Sequence, residues 1–231
     1  MSDTRVPFPP VEPPPSEWAL GQLRPTDEED LVAAGADLDP GTLLEAYRAG
    51  LFPMGLGDQG GQPLGWWSPE PRGVLVPGAF RERRSLKKSR ARFEIRVDTA
   101  FREVMQRCAD PDREGRWITD EIVAAYGELH RLGWAHSVET WLDGSLVGGL
   151  YGVAIGGLFA GESMFHCERD ASKAALAALV DIVHADGDPR RLIDVQWATE
   201  HLQRLGVVEW PRERYLIALG EALQAPSVRF G

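Results

Sequence analysis

Apolar residues recur at helical spacing in some parts of the chain and crowd at strand spacing in others. Phe101, Val104, Met105 and Cys108 stand at i, i+3, i+4 and i+7, the stripe of an amphipathic helix. Thr119 is a suitable cap for a second helix, whose buried stripe would be Ile122, Ala125, Tyr126 and Leu129. From 136 to 142 and from 145 to 165 the chain is rich in Val, Leu, Phe, Tyr and Trp, broken at Asp143-Gly144 and Gly156-Gly157. That pattern predicts consecutive antiparallel strands joined by tight turns. Residues 170 to 186 return to helical spacing, with Leu176, Leu179, Val180 and Val183 on one face. A short strand is expected over Leu192–Gln196 and a last helix over 211 to 223.

The first third of the chain is less regular. Six prolines precede residue 17 and predict an extended arm. A helix is expected over 40 to 49, with Asp39 as N-cap, Pro40 in the first helical position and Gly50 as its stop. Gly55 to Gly65 reads as a glycine-rich loop, and the prolines of Trp66-Trp67-Ser68-Pro69-Glu70-Pro71-Arg72 should stop regular structure. A domain boundary is therefore placed near residue 70, giving a small N-terminal domain over 1–70 and a larger one over 71–231. Hairpins followed by helix and strand make the fold class α+β. No internal repeat is visible.

With 231 residues the chain can bury a sizeable core. Two cysteines, Cys108 and Cys167, make no disulfide framework, and a reducing cytoplasmic setting is the simplest expectation. The N-terminus is not basic-then-apolar, so it does not read as a secretory signal. The uncharged stretch up to Gly161 is too short and glycine-rich for a membrane span. Net charge is −10, which argues against a nucleic-acid partner until its distribution is considered. Residues 81 to 96 read RERRSLKKSRARFEIR, eight basic and two acidic, hence +6 locally and −16 elsewhere. Such a strip can hold phosphates on an acidic protein, or be only a solvated face.

Several motifs fail on context. Gly55-Leu-Gly57-Asp-Gln-Gly60 matches GxGxxG but neither follows an expected strand nor opens a helix. No P-loop is present. Gly161-Glu-Ser163-Met-Phe165 has Phe where a nucleophile elbow needs its second glycine. The five histidines show no ligand spacing. Two features survive. In Asp194-Val195-Gln196, strand parity puts Asp194 and Gln196 on one face and Ile193 and Val195 on the other. That polar pair either does chemistry or lies on the wet face of an edge strand. Glu162 is a carboxylate inside an apolar hairpin, and burial would require a cation or amine donor nearby.

At these residues the chain resembles the leucyl/phenylalanyl-tRNA–protein transferase family. The matching stretches are Gly50-Leu-Phe-Pro53, Trp66 to Arg72, Trp117-Ile-Thr119, Ala135-His-Ser-Val-Glu139 and Leu146-Val-Gly-Gly-Leu-Tyr-Gly152. Gly161 to Phe165, Asp170-Ala-Ser-Lys173, Ile193 to Gln196, and His201-Leu202 with Leu205-Gly206 complete the set, in the family's order. The resemblance implies a cytoplasmic enzyme that moves Leu or Phe, and also Met, from aminoacyl-tRNA to the N-terminal amine of a protein beginning with Arg or Lys. The product would enter the N-degron pathway. A GNAT-like larger domain, no cofactor or metal, no membrane partner and a monomer are likewise implied.

The donor ester is already activated, so the work is positioning, proton removal and oxyanion stabilisation. By resemblance, the Gln196 side-chain carbonyl accepts from the attacking amine, Asp194 holds and polarises Gln196, and Glu162 supports the acceptor amine or the Gln196 network. The donor side chain would be read by Leu150, Met164, Leu176, Leu179, Val183 and Ile193, although each also suits ordinary core. Trp117 would meet the 3′-terminal adenosine, with Arg81, Arg83, Arg84, Lys87, Lys88, Arg90 and Arg92 along the acceptor stem. Two departures stand out: Met54 follows Phe52-Pro53 where an aromatic is frequent, and Thr199 stands where some members carry Asn, so no role passes to it. The glycine-rich loop before Gly65 would loosen the way into the site.

Two other functions compete. A small-molecule N-acyltransferase using acyl-CoA would need a [QR]xxGx[GA] pyrophosphate cradle, which the chain lacks. A tRNA-end binder without catalysis would need the basic strip and Trp117 but not Asp194 and Gln196.

Overall fold

The computed structural model describes residues 6–25, 29–112 and 117–231. The elements, in chain order, are β1 (Leu31–Ala34), α1 (Pro40–Arg48), β2 (Phe52–Gly55), β3 (Leu64–Trp67), β4 (Arg72–Leu75), α2 (Arg84–Arg90), β5 (Glu94–Val97), α3 (Phe101–Cys108) and α4 (Asp120–Arg131). They continue with β6 (Ala135–Leu142), β7 (Ser145–Ile155), β8 (Leu158–His166), α5 (Ala171–Val183), β9 (Leu192–Gln196), α6 (Glu200–Gln203), β10 (Val208–Trp210) and α7 (Arg212–Leu223).

The strands form two sheets. A three-stranded antiparallel sheet has the order β1-β3-β2, and a seven-stranded sheet the order β10-β4-β9-β8-β7-β6-β5. β9 is therefore interior, so the edge-strand alternative for Asp194 and Gln196 falls. All neighbours in the larger sheet are antiparallel except β8 and β9, which are parallel. One apolar cluster runs from α1 (Leu43, Leu44, Tyr47) through α3 and α4 to Leu219 of α7. A second lies between α5 and the other face of the sheet, around Leu75, Leu150, Phe159, Leu176 and Ile193.

The strongly patterned elements form where their spacing predicts them. Asp143 and Gly144 both have positive φ, 50° and 77°, the backbone of a two-residue type I′ hairpin turn. The Thr119 hydroxyl accepts from Ile122 N at 3.3 Å and caps α4. Asp39 departs from expectation: it precedes Pro40, but its side chain makes no cap bond. The prolines of 66 to 72 do interrupt regular structure: residues 68 to 71, which hold Pro69 and Pro71, are neither helix nor strand. Trp66 and Trp67 belong to β3, and Arg72 opens β4. The glycine-rich segment is the loop of the β2–β3 hairpin, closed by Leu56 N to Pro63 O and Gly57 N to Gly61 O. A Cβ on Gly55 would lie 2.0 Å from Gly60 O, so this close approach needs glycine.

The first five residues of the expected arm lie outside the described residues. From Val6 to Glu17 the chain has neither helix nor strand and lies along the protein. Val11 exchanges bonds with Leu132 O and Trp134 Nε1, both at 2.8 Å. Among the described residues no helix is long and apolar enough to cross a membrane.

Candidate active site

The parallel pair is where the larger sheet opens. β8 and β9 are in register at Leu158↔Leu192, Phe159↔Ile193 and Ala160↔Asp194, and there the pairing ends. β8 runs on to His166 and β9 to Gln196, so the two strands part like a fork beyond Asp194. A crevice beyond the carboxyl ends of parallel strands is a favoured place for a ligand.

Each arm of the fork carries a bulge. Between β7 and β8 the register steps from Tyr151↔Ser163 to Gly152↔Gly161, leaving Glu162 as the extra residue. Between β4 and β9 it steps from Gly73↔Gln196 to Val74↔Asp194, leaving Val195 as the extra residue. Bulges break strand parity and re-aim side chains, and they cluster near active sites. Gln196 accordingly has φ 57°, and both Val195 and Gln196 line one cavity. The parity argument thus holds for Ile193 and Asp194 but ends at Val195.

The cavity is about 200 Å³. Glu162 faces it from β8, and Val195, Gln196 and Trp197 from β9 and the turn that follows. Thr199 and Leu202 come from the start of α6. Phe52, Pro53 and Met54 of β2 close it from the smaller sheet, and Trp117 from the approach to α4. Phe52 and Trp197 meet edge-on at 5.2 Å, which ties the two sheets together across the wall. Thr199 is occupied as the cap of α6, its hydroxyl accepting from Leu202 N at 3.3 Å.

Asp194 does not line the cavity. It lies beneath, 1% exposed, against Arg72, which is also 1% exposed. Arg72 Nε reaches Asp194 Oδ1 at 2.9 Å and Nη2 reaches Oδ2 at 2.7 Å, a bidentate pair. Arg72 Nη1 also donates to Gly50 O at 3.1 Å, and its guanidinium lies over the Tyr215 ring at 4.4 Å. Burial opposes the charge on Arg72, but neighbouring Asp194 prevails and holds it firmly protonated. Tyr215 donates its hydroxyl to Asp194 Oδ2 at 2.9 Å. The remaining donor to Asp194 is the backbone N–H of Gln196, at 2.9 Å on Oδ1. Asp194 thus holds Gln196 through its main chain, not through its amide side chain. The Gln196 Nε2 is buried with no hydrogen-bond partner among the described residues.

Among the described residues Glu162 meets no cation in direct contact; the cation expected nearby is Arg72, which acts on it through space. Its Oε2 accepts from the Tyr126 hydroxyl at 3.2 Å, and that hydroxyl is hydrogen-bonded to the hydroxyl of Tyr47. Its Oε1 is buried with no hydrogen-bond partner among the described residues. Burial pushes the Glu162 carboxyl up to about 7; the tyrosine hydroxyls and Arg72 pull it down, and Asp194 adds to the rise. Phenols satisfy Oε2 at smaller desolvation cost than a buried ion pair would, and leave Oε1 open.

The other expected residues are placed as follows. Leu150, Leu176, Leu179, Val183 and Ile193 are buried in the second apolar cluster, with Met164 partly buried against it. None of the six lines the cavity, whose apolar wall comes instead from Phe52, Met54, Trp197 and their neighbours. In the basic strip Arg81, Arg83, Arg84, Lys87, Lys88 and Arg92 are exposed, while Leu86 is buried and anchors α2. Arg90 is half-buried and bridges Glu82 at 3.4 Å and Asp181. Arg81 N donates to Leu205 O at 2.8 Å, on the same turn that carries Leu202 to the cavity. Sequence reasoning assigned no role to Arg72, Tyr47, Tyr126 or Tyr215. Arg72, held between an acidic residue, two prolines and a strand, was the one with a local signal.

The family model described as leucyl/phenylalanyl-tRNA protein transferase matches residues 74–220, and the model of that family's N-terminal domain matches 36–70. Curated proteins named leucyl/phenylalanyl-tRNA–protein transferase are similar over nearly the whole chain. That of Cupriavidus metallidurans is 50% identical over 223 residues, covering 93% of this chain and 85% of the relative. Those of Aromatoleum aromaticum and Myxococcus xanthus are 49% and 47% identical, covering 89% and 88% of this chain and 84% and 87% of theirs. Two family models that together account for most of the chain, and relatives at this identity and coverage, leave one assignment: the chain belongs to the leucyl/phenylalanyl-tRNA–protein transferase family of aminoacyltransferases.

Proposed function

We propose that the protein transfers Leu, Phe or Met from aminoacyl-tRNA to the N-terminal amine of proteins that begin with Arg or Lys, marking them for the N-degron pathway in the cytoplasm. The observation that carries this reading is the forked cavity, which sets Glu162, Gln196 and Trp117 around one space. In it, Trp117 stacks on the terminal adenine, an interaction worth ~1–3 kcal/mol that ignores the tRNA body. Gln196 orients the ester and the incoming amine from above the Asp194–Arg72 pair. The six exposed cations near α2 follow the acceptor-stem phosphates.

The donor side chain is read by the apolar ground behind Met164, with Leu150, Leu176, Leu179, Val183 and Ile193, a cluster off the cavity wall that would have to open to admit it. Met164 is the flexible wall against which Leu, Phe or Met packs. The larger unit, 71–231, is GNAT-like: a mainly antiparallel sheet with one parallel pair that splays apart at the site supports this reading, and residues 1–70 form the smaller unit. The protein works as a monomer, without cofactor.

The test is single-turnover transfer of labelled Leu from Leu-tRNA to a peptide with N-terminal Arg, beside its N-acetylated twin and a twin beginning with Asp. Label on the free Arg peptide alone is expected. Transfer from an acyl-CoA thioester without tRNA, or tRNA binding with no transfer, would overturn the reading.

A further inference from the structure

Transfer to a peptide N-terminus needs a proton acceptor, because the α-ammonium must lose a proton before its nitrogen can attack. The forked cavity offers few candidates. Gln196 does not titrate usefully. Asp194 lies outside the cavity, and its two oxygens are taken by Arg72, Tyr215 and the Gln196 N–H. Among the residues lining the cavity, Glu162 alone carries an acid group. It is delivered there by the bulge in β8, and its Oε1 is buried and unpartnered among the described residues. An unsatisfied buried acceptor on a residue that lines a ligand space is costly unless a donor from the ligand completes it.

We infer that Glu162 is the general base of the transfer, with Tyr126 and Tyr47 as the positioning residues that hold its other oxygen. This rests on the transferase reading above. In the step, the bound α-ammonium gives one proton to Glu162 Oε1. The neutral nitrogen then attacks the ester carbonyl carbon, forming the C–N bond. As the tetrahedral intermediate collapses, the C–O bond to the ribose 3′-oxygen breaks and the nitrogen's second proton goes to that oxygen. Glu162 returns its proton to solvent, so one proton is released per amide formed.

The environment fits the role from every side. Tyr126 on α4 donates to Oε2, and Tyr47 on α1 is bonded to Tyr126. Burial first, and then the charge of Glu162, hold both phenols well above their ordinary range, so they stay donors and never compete as bases. Asp194 on β9 raises the Glu162 carboxyl and Arg72 on β4 lowers it, with burial the largest influence. The result, about 7, lies close to the ordinary range of an α-amine, about 8, where a base is most effective.

The experiment is the pH dependence of single-turnover transfer from Leu-tRNA by wild type, Glu162→Gln and Tyr126→Phe, with two acceptor peptides whose amines differ in basicity. Wild type is expected to show one limb that moves with the peptide and one near pH 7 that does not. Glu162→Gln, which keeps the shape and the acceptance from Tyr126, should lose the second limb and slow at pH 8 by about 100-fold, with Leu-tRNA affinity within about twofold. Tyr126→Phe removes a bond that favours the carboxylate, so its second limb should move to higher pH. A rate for Glu162→Gln within threefold of wild type would overturn the inference, as would an unmoved limb in Tyr126→Phe. Absence of transfer by wild type itself would overturn the transferase reading and this inference with it.

Discussion

Asp194 and Arg72 show how one buried pair can serve a site that neither of them lines. Asp194 Oδ1 is shared between the guanidinium and the Gln196 N–H, so the same oxygen that neutralises Arg72 also holds Gln196 at φ 57°. A non-glycine residue in that region is strained and persists only when its surroundings fix it. Removing one partner of a buried pair leaves an uncompensated charge and costs ~3–5 kcal/mol. Asp194→Asn is therefore expected to lower the stability by about that amount in chemical denaturation, with the loss falling on Arg72. A loss below about 1 kcal/mol would show that Arg72 finds other acceptors. Arg72→Lys keeps the charge but not the fork of donors, so it should lose part of the same stability.

The elements differ in how far local pattern governs them. The α3, α4 and α5 stripes and the β6–β7 turn were legible because their signals repeat over many residues or use a turn that demands positive φ. Strands β1 to β5 and β10 have three or four residues each, too few for alternation to stand out. They form because a partner far along the chain supplies the ladder, as β9 does for β4. The β2–β3 loop is the clearest link from such an element to the site. Gly60 has φ 80°, and a Cβ there would lie 2.3 Å from the Trp117 carbonyl oxygen. Gly60→Ala should push Trp117 out of the cavity wall. Loss of a stack worth ~1–3 kcal/mol predicts Leu-tRNA binding weaker by about tenfold in a filter-binding titration. Unchanged affinity would mean that the loop gives way without moving Trp117.

At the scale of the whole molecule, charge is distributed by task. A chain of net charge −10 keeps six exposed cations together around α2, and the turn beneath Arg81 joins that patch to the cavity. The seventh, Arg90, is committed to Glu82 and Asp181. The log–log slope of Leu-tRNA affinity against salt should fall by about 1 for each phosphate that is no longer neutralised. Replacing Lys87 and Lys88 with Ala should flatten that slope, whereas Arg90→Ala should leave it and lower the melting temperature. Equal slopes for both variants would remove the α2 patch from the tRNA path.

The chain on its own determined the long helices, the β6–β8 meander, the basic strip and the family, because each is written in spacing or in a contiguous motif. It also singled out Glu162, Asp194 and Gln196 as polar residues in apolar surroundings. Tertiary structure alone decided what those residues touch. Tyr47, Tyr126 and Glu162 come from α1, α4 and β8, and Arg72, Asp194 and Tyr215 from β4, β9 and α7. The two bulges that aim Glu162 and Gln196 arise from pairing between strands, which no local period records. Gln196 therefore escaped the alternation that its sequence spacing predicts. The direct donor to Glu162 is a phenol, with the cation Arg72 only nearby, for the same reason: a buried carboxylate requires donors, but only the packing of distant segments chooses which.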